Sequence, residues 1–158
     1  MITRYHLTAL ISGLTLLLSV PVNSQVFPRG NGLSLSGVNQ FDLYVQLSDW
    51  QDINADQTEF RRQALEALAT RLASVGITRR SASRDYLLCN VRATQSNGLV
   101  AYTTTPEYWN LRSTDVHTLL WQNEAIAIVD QAEFSTELVA SACADHIMAE
   151  WSKWNPAT

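Results

Sequence analysis

The pattern of elements along this chain predicts an α+β fold. The expected architecture is a two-layer sandwich in which a mainly antiparallel sheet of four to five strands carries two helices on one face. Three observations lead there. An alternating strand is followed at once by an amphipathic helix, an Asn-Gly turn joins two further strand-like segments, and a second amphipathic helix closes the chain.

The strand comes first. In VNQFDLYVQL, Phe41, Leu43, Val45 and Leu47 fall on one side and Asp42, Tyr44 and Gln46 on the other. The helix follows in DINADQTEFRRQALEALATRLASVGI. Asp56 with Glu59 three residues on forms a capping box for donors that a first helical turn leaves open. Phe60, Ala64, Leu68, Leu72 and Val75 recur at helical spacing, so this stripe must be covered by another layer. Gly76 is expected to stop the helix in the left-handed conformation, with Ile77 folding back onto the last turn.

Beyond the basic loop TRRSASR, the segment DYLLCNVRATQSNGLVAYTTT holds the hairpin signal Asn97-Gly98, both positions of a type I′ turn requiring positive φ. Leu87, Cys89, Val91 and Ala93 share one face of the first arm, which puts Cys89 in the core. PEYWNLRST is expected to be a connecting loop. DVHTLLW and AIAIVD read as one or two further strands, punctuated by Pro106 and by Gln122 to Glu124. The last helix is expected over Phe134 to Trp154, with Leu138, Ala142, Cys143, Ile147, Trp151 and Trp154 on one flank and Pro156 marking its end.

Residues 1–24 have the layout of a secretory signal: one basic residue, Arg4, an apolar run from Leu7 to Val20, then Pro21. That run of about 14 residues falls short of the roughly 20 needed to cross a bilayer. Val22 and Ser24 supply the small residues a signal peptidase accepts, so cleavage is expected after Ser24. No cysteine near this site could carry a lipid, and there is no twin-arginine pair. Residues 25–37, rich in Gly, Ser and Pro, read as an irregular lead-in to one α+β domain over 38–158.

Losing Arg4 leaves 10 basic residues against 15 acidic, moving the net charge from -4 to about -5. Nucleic-acid modules normally carry excess positive charge, so this class is excluded. A composition 46% hydrophobic and 16% charged belongs to a folded chain, and no repeats or low-complexity tracts interrupt it.

The stretch RLASVGI (Arg71 to Ile77) followed by DYLLCNV (Asp85 to Val91) resembles the helix, glycine stop and core strand of small bacterial envelope proteins. Examples are the amino-terminal domain of the periplasmic Tol propeller protein and the lipopolysaccharide-assembly lipoprotein. The likeness covers under a third of the mature chain. It implies an accessory or docking role without catalytic residues. Many of those proteins are lipoproteins, and this chain has no lipid-bearing cysteine.

Cys89 and Cys143 are the chain's two cysteines, one on the apolar face of a strand and the other on that of the last helix. Two packed layers bring such faces together, and in an oxidising compartment such a pair bridges. Closing a loop of about 54 residues restricts the unfolded chain enough to stabilise the fold by about 4 kcal/mol on the chain-entropy model. The competing chemistry is a metal site built from Cys143 and His146 with His117, which lacks the short matched spacings zinc requires; Cys-x-x-Cys is absent. Asp52, Asn54, Asp56 and Thr58 have the alternation of a calcium loop, but Gln57 and Gln63 stand where the glycine and the bidentate glutamate belong. Neither a nucleophile elbow nor a zinc-protease motif occurs.

Two groups of residues are candidate contact sites. Arg79, Arg80 and Arg84 form a basic loop able to meet an anionic sugar, a phosphate or an acidic partner. Tyr108 and Trp109, expected in a loop after Pro106, offer aromatic contact area to a protein or glycan. The expected function is that of a non-enzymatic exported accessory protein, periplasmic or secreted, that binds a protein or cell-envelope component. Two other readings stand beside it. A small extracytoplasmic hydrolase would show a charge-lined cleft holding His117 or His146 beside a carboxylate, and a ligand-carrying module would show a large closed pocket. No cofactor and no metal are expected.

Overall fold

The computed structural model describes residue 35 and residues 37–156. The predicted signal segment lies outside the described residues, as does the lead-in apart from Leu35 and Gly37. Eight elements follow in the order β1 (Gln40–Gln51), α1 (Gln57–Ala73), β2 (Thr78–Arg79), β3 (Asp85–Ser96), β4 (Leu99–Ser113), β5 (Val116–Gln122), β6 (Ala125–Asp130) and α2 (Thr136–Trp154). They build the α+β arrangement expected, with six strands instead of four or five.

The sheet runs β2-β1-β3-β4-β5, and β6 lies beside β4 beyond the end of β5. Three pairings are antiparallel: β3 with β4, and β4 with β5 and β6. β1 pairs in parallel with both β2 and β3, because α1 returns the chain to the end from which β1 started.

The local signals act as their chemistry requires. Asp56 caps α1 by accepting from the Glu59 backbone N–H at 2.7 Å, while the Glu59 carboxylate turns outward to Arg62 and Gln63 and completes no capping box. Gly76 adopts φ 86°, and the Ile77 N–H bonds back to the Leu72 carbonyl at 3.1 Å with its side chain in the core. Asn97 and Gly98 take φ 52° and 79° and set Ser96 opposite Leu99. Ser135 caps α2, which begins at Thr136, two residues later than expected.

Two segments depart from expectation. Thr78 and Arg79, expected in the basic loop, form the short edge strand β2, held by parallel pairing to Gln40 and Phe41. Residues 106–113 are no loop: β4 continues for 15 residues through Ser113, with Tyr108 paired to Leu87 and Trp109 to Tyr86. Pro106 is tolerated because of where its missing donor points. Its carbonyl accepts from Asn123 N–H at 3.1 Å, and a strand residue's N–H and C=O point to the same side. The absent N–H therefore faces the break between β5 and β6, where no ladder bond is lost.

The core lies between the helices and one sheet face. Phe41, Leu43 and Val45 of β1, Leu87, Cys89, Val91 and Ala93 of β3, and Val100, Tyr102 and Tyr108 of β4 meet Phe60, Ala64, Leu68 and Leu72 of α1. From α2 come Val139, Ala140, Cys143, Ala144 and Ile147, a stripe rotated from the expected one: Leu138 and Ala142 are only half-buried. Val75, past the end of α1, is exposed. The Cys89–Cys143 disulfide joins β3 to α2 with a Cα–Cα separation of 6.0 Å, both residues fully buried.

Candidate functional site

Alternate residues of the same strands form the opposite face of the sheet, which no helix among the described residues covers. Register places them in rows. Asp42, Tyr86, Trp109 and Leu119 lie abreast across β1, β3, β4 and β5; the next row holds Tyr44, Leu88, Glu107 and Gln122. Gln46, Asn90 and Thr105 make a polar band, beyond which Thr103 pairs with Ile126 and Ala101 with Ile128. Among the described residues, the exposed large hydrophobic side chains are concentrated here: Ile126 (74% exposed), Ile128 (68%), Tyr44 (48%), Leu99 and Leu119. Val116 lies at the β4–β5 hairpin and Val75 on the helical side.

The aromatic end of this face is ordered by its own polar groups. Tyr86 packs edge-on against Tyr44 at 5.6 Å and parallel to Trp109 at 6.2 Å. Its hydroxyl shares a 2.8 Å hydrogen bond with His117 Nδ1, and Trp109 Nε1 donates to Glu107 Oε2 at 2.5 Å. Asp42, itself buried, accepts from the Leu43 N–H, the Tyr44 hydroxyl and the Ala82 N–H at 2.9–3.0 Å. That carboxylate raises the Tyr44 phenol above its ordinary value, through the hydrogen bond first and burial second. Burial, then the charge of Glu107, raises Tyr86. Both phenols therefore stay neutral and able to donate at physiological pH.

The two predicted contact groups are brought to this same end. Trp109 lies half-buried on the uncovered face. Tyr108, one residue earlier, points the other way: it is 4% exposed, packs edge-on against Phe41 and donates to Asp85 at 2.9 Å. Strand alternation separates the pair, so Tyr108 is a core residue and not an exposed contact. The basic loop adjoins the aromatic rows. Arg79 Nε is 4.0 Å from Asp42, Arg80 Nη1 donates to the Gln40 side chain at 3.3 Å, and the Arg84 carbonyl accepts from Leu111 N–H at 2.7 Å. Asp42, by holding Ala82 at φ 58°, fixes that loop against β1.

Tyr44 and Tyr86 were not singled out by pattern, because both occupy strand positions opposite the core, where polar residues are expected. The signal was there in Tyr44, a large ring on the outward side of an otherwise clean alternation. Ile126 and Ile128 had no such signal, since AIAIVD is apolar at both parities.

His117 is bonded to a tyrosine, and His146 Nδ1 lies 2.9 Å from the Asn123 side-chain amide, so among the described residues neither imidazole has a carboxylate hydrogen-bonded to orient it. Cys143 is committed to the disulfide, and among the described residues no group of three His, Cys, Asp or Glu side chains could hold a metal. An open groove of about 720 Å³ lies on the helical side, lined by Val75, Met148, Trp151 and Pro156. No helix among the described residues is long and apolar enough to cross a membrane.

The sequence matches no protein-family model and no curated protein. Among solved structures, the chain is similar to the dodecamer of a PelC variant from Paraburkholderia phytofirmans, at 15% identity and a TM-score of 0.46, over 71% of this chain and 86% of that one. It is also similar to an uncharacterized protein at 13% identity and a TM-score of 0.34, over 72% of this chain and 87% of that one. TM-scores below 0.5 are too low for either likeness to bear on function.

Proposed function

We propose that this chain is an exported, non-enzymatic accessory protein that binds another protein or a cell-envelope component through the uncovered face of its sheet. The observation that carries the reading is the gathering of Tyr44, Leu99, Leu119, Ile126 and Ile128 as exposed apolar side chains on the one sheet face without helices. Isolated apolar residues on a surface need no explanation; here Tyr44 and Leu119 cluster with the aromatic rows and Leu99, Ile126 and Ile128 beyond the polar band, two apolar groups on one face that support an interaction surface. The size is appropriate. Four strands spaced about 4.8 Å apart and about 40 Å long present roughly 750 Å², near the ~800 Å² per partner of a standard interface. Export is supported by the leader-like residues 1–24 and by the disulfide, a bond that persists in oxidising compartments.

Photoreactive residues test this. Placed at Tyr44 or Ile126, they should yield adducts with another macromolecule in the cell envelope. The same residue at Glu66, exposed on the outer side of α1, should yield none. Adducts of equal yield from Glu66, or none from either sheet position, would overturn the reading.

A further inference from the structure

Resting on the reading of the uncovered face as a binding surface, we infer that β6, at the border of that face, receives an extended strand of a partner protein along its free edge, paired antiparallel and carrying a basic residue opposite Asp130. The direction of the β6 backbone groups carries this. Gln131 N–H donates to the Gly98 carbonyl at 2.8 Å and Asn123 N–H to the Pro106 carbonyl at 3.1 Å, so the odd-numbered residues between them turn both backbone groups towards β4. Direction alternates along a strand. Ile126, Ile128 and Asp130 therefore point theirs away from β4, to a side where the sheet has no further strand among the described residues. The Asp130 carbonyl accepts from the Glu133 and Phe134 N–H groups; the N–H groups of all three residues and the carbonyls of Ile126 and Ile128 are open to a neighbour.

Open edges are normally guarded by shortness, charge, proline or bulges. The opposite border of the sheet, β2, is only Thr78 and Arg79. The pairing of β5 is broken by register shifts between Tyr108 and Trp109 and between Leu111 and Ser113. β6 pairs without a shift and has no proline and no charge before Asp130, while Ile126 and Ile128 stand 74% and 68% exposed.

Charge defines the strand that fits. The rows that reach β6, with their flanking residues, hold Asp49, Glu124, Asp130 and Glu133 against Arg92, and Arg92 is bound to Glu124. Arg61 and Arg62 belong to α1, behind the sheet, where Asp56, Glu59 and Glu66 accompany them. A second copy of β6 would bring Glu124 and Asp130 and no cation. A basic strand supplies the missing charge, and β-branched residues opposite Ile126 and Ile128 would pack beside them as cross-strand pairs.

The probe is an acetylated hexapeptide, Lys-Thr-Val-Thr-Ile-Thr, whose first, third and fifth residues fall opposite Asp130, Ile128 and Ile126. Titrated into the exported chain and followed by NMR, it should shift the Ile126 and Ile128 amides and slow their exchange with solvent. N-methylation of the peptide's valine removes a donor that faces β6 and should abolish binding; N-methylation of the next threonine, whose N–H faces away, should not. Glutamate in place of the lysine should weaken binding about fivefold. In the protein, Ile128→Pro deletes an outward donor without touching the β4 ladder and should abolish binding, whereas Ile128→Thr should retain it. The methylated peptides decide the matter whether or not the proline variant folds. No binding, equal effects of the two methylations, tighter binding of the glutamate peptide, or protection of the Ile126 and Ile128 amides that rises with protein concentration alone would each overturn the inference, the last by assigning the edge to a second copy. Adducts from Tyr44 and Ile126 undiminished by Ile128→Pro would overturn it too, and leave the binding face intact.

Discussion

Tyr108 and Trp109 are neighbours in the chain and opposites in environment. Tyr108 stands on the face that α1 and α2 cover, its ring against Phe41 and its hydroxyl on Asp85; Trp109 stands on the bare face, parallel to Tyr86. The same contrast runs across the whole sheet. On the covered face the apolar groups are sealed by two helices and a disulfide, whereas on the other Ile126 and Ile128 remain largely in water. A sheet needs only one buried face to be stable, so apolar residues on the second are free to serve contact with something else.

Breaking the covered face should cost most. Replacing both Cys89 and Cys143 with alanine should lower stability by about 4 kcal/mol through the lost loop constraint, with further loss from the vacated core volume. Denaturant unfolding of the exported protein, with and without reductant, measures it. Adjacent substitutions on β4 sharpen the contrast. Tyr108→Ala should cost about 3 kcal/mol through cavity formation and the loss of a donor to Asp85. Trp109→Ala should cost about 1 kcal/mol, the loss of packing on Tyr86. Equal losses in thermal unfolding would mean that something covers both faces.

The same tyrosine gives the pair a pH signature. Burial first, then its bond to the Asp85 carboxylate, hold the Tyr108 phenol far above the ordinary tyrosine value of 10.0. A raised folded-state value contributes stability that is fully present below the unfolded value and is lost as pH rises beyond it, because the unfolded chain ionises while the folded one resists. Stability should therefore fall above pH 10.0, and Tyr108→Phe should flatten that fall. Trp109→Phe should not, and parallel alkaline melts compare them. The smallest effect belongs to the bare face. Ile126→Ser with Ile128→Ser should move stability by less than about 0.5 kcal/mol per site while reducing the adducts captured from Leu99, on the same end of the bare face.

Much of the fold is legible locally. Asp56 caps, Gly76 terminates and Asn97-Gly98 turns because each acts within a few residues of itself, so the order of β1, α1, the β3–β4 hairpin and α2 follows from pattern. The disulfide is legible for a related reason: two cysteines on the apolar sides of elements that must pack together have no other partner. A loop is expected over residues 106–114 because proline normally interrupts a central strand; only the break between β5 and β6, brought alongside from elsewhere in the chain, makes Pro106 harmless and lets β4 run on through Ser113. The candidate site was half legible. Trp109 and the three arginines stand out as residues, but their convergence with Tyr44 and Tyr86 depends on strand order and register.

The sequence by itself determined the order of β1, α1, the β3–β4 hairpin and α2, the helix boundaries to within about two residues, the core sides of β1 and β3 and the covalent link between layers, since all of these arise from short-range geometry and apolar periodicity. Tertiary structure decided the parallel β1–β3 pairing, the extension of β4 through Tyr108 and Trp109, and the assembly of Tyr44, Tyr86, Trp109 and the basic loop at one end of a bare sheet face. Those are relations between residues tens of positions apart, and no local pattern encodes which strand will lie beside which.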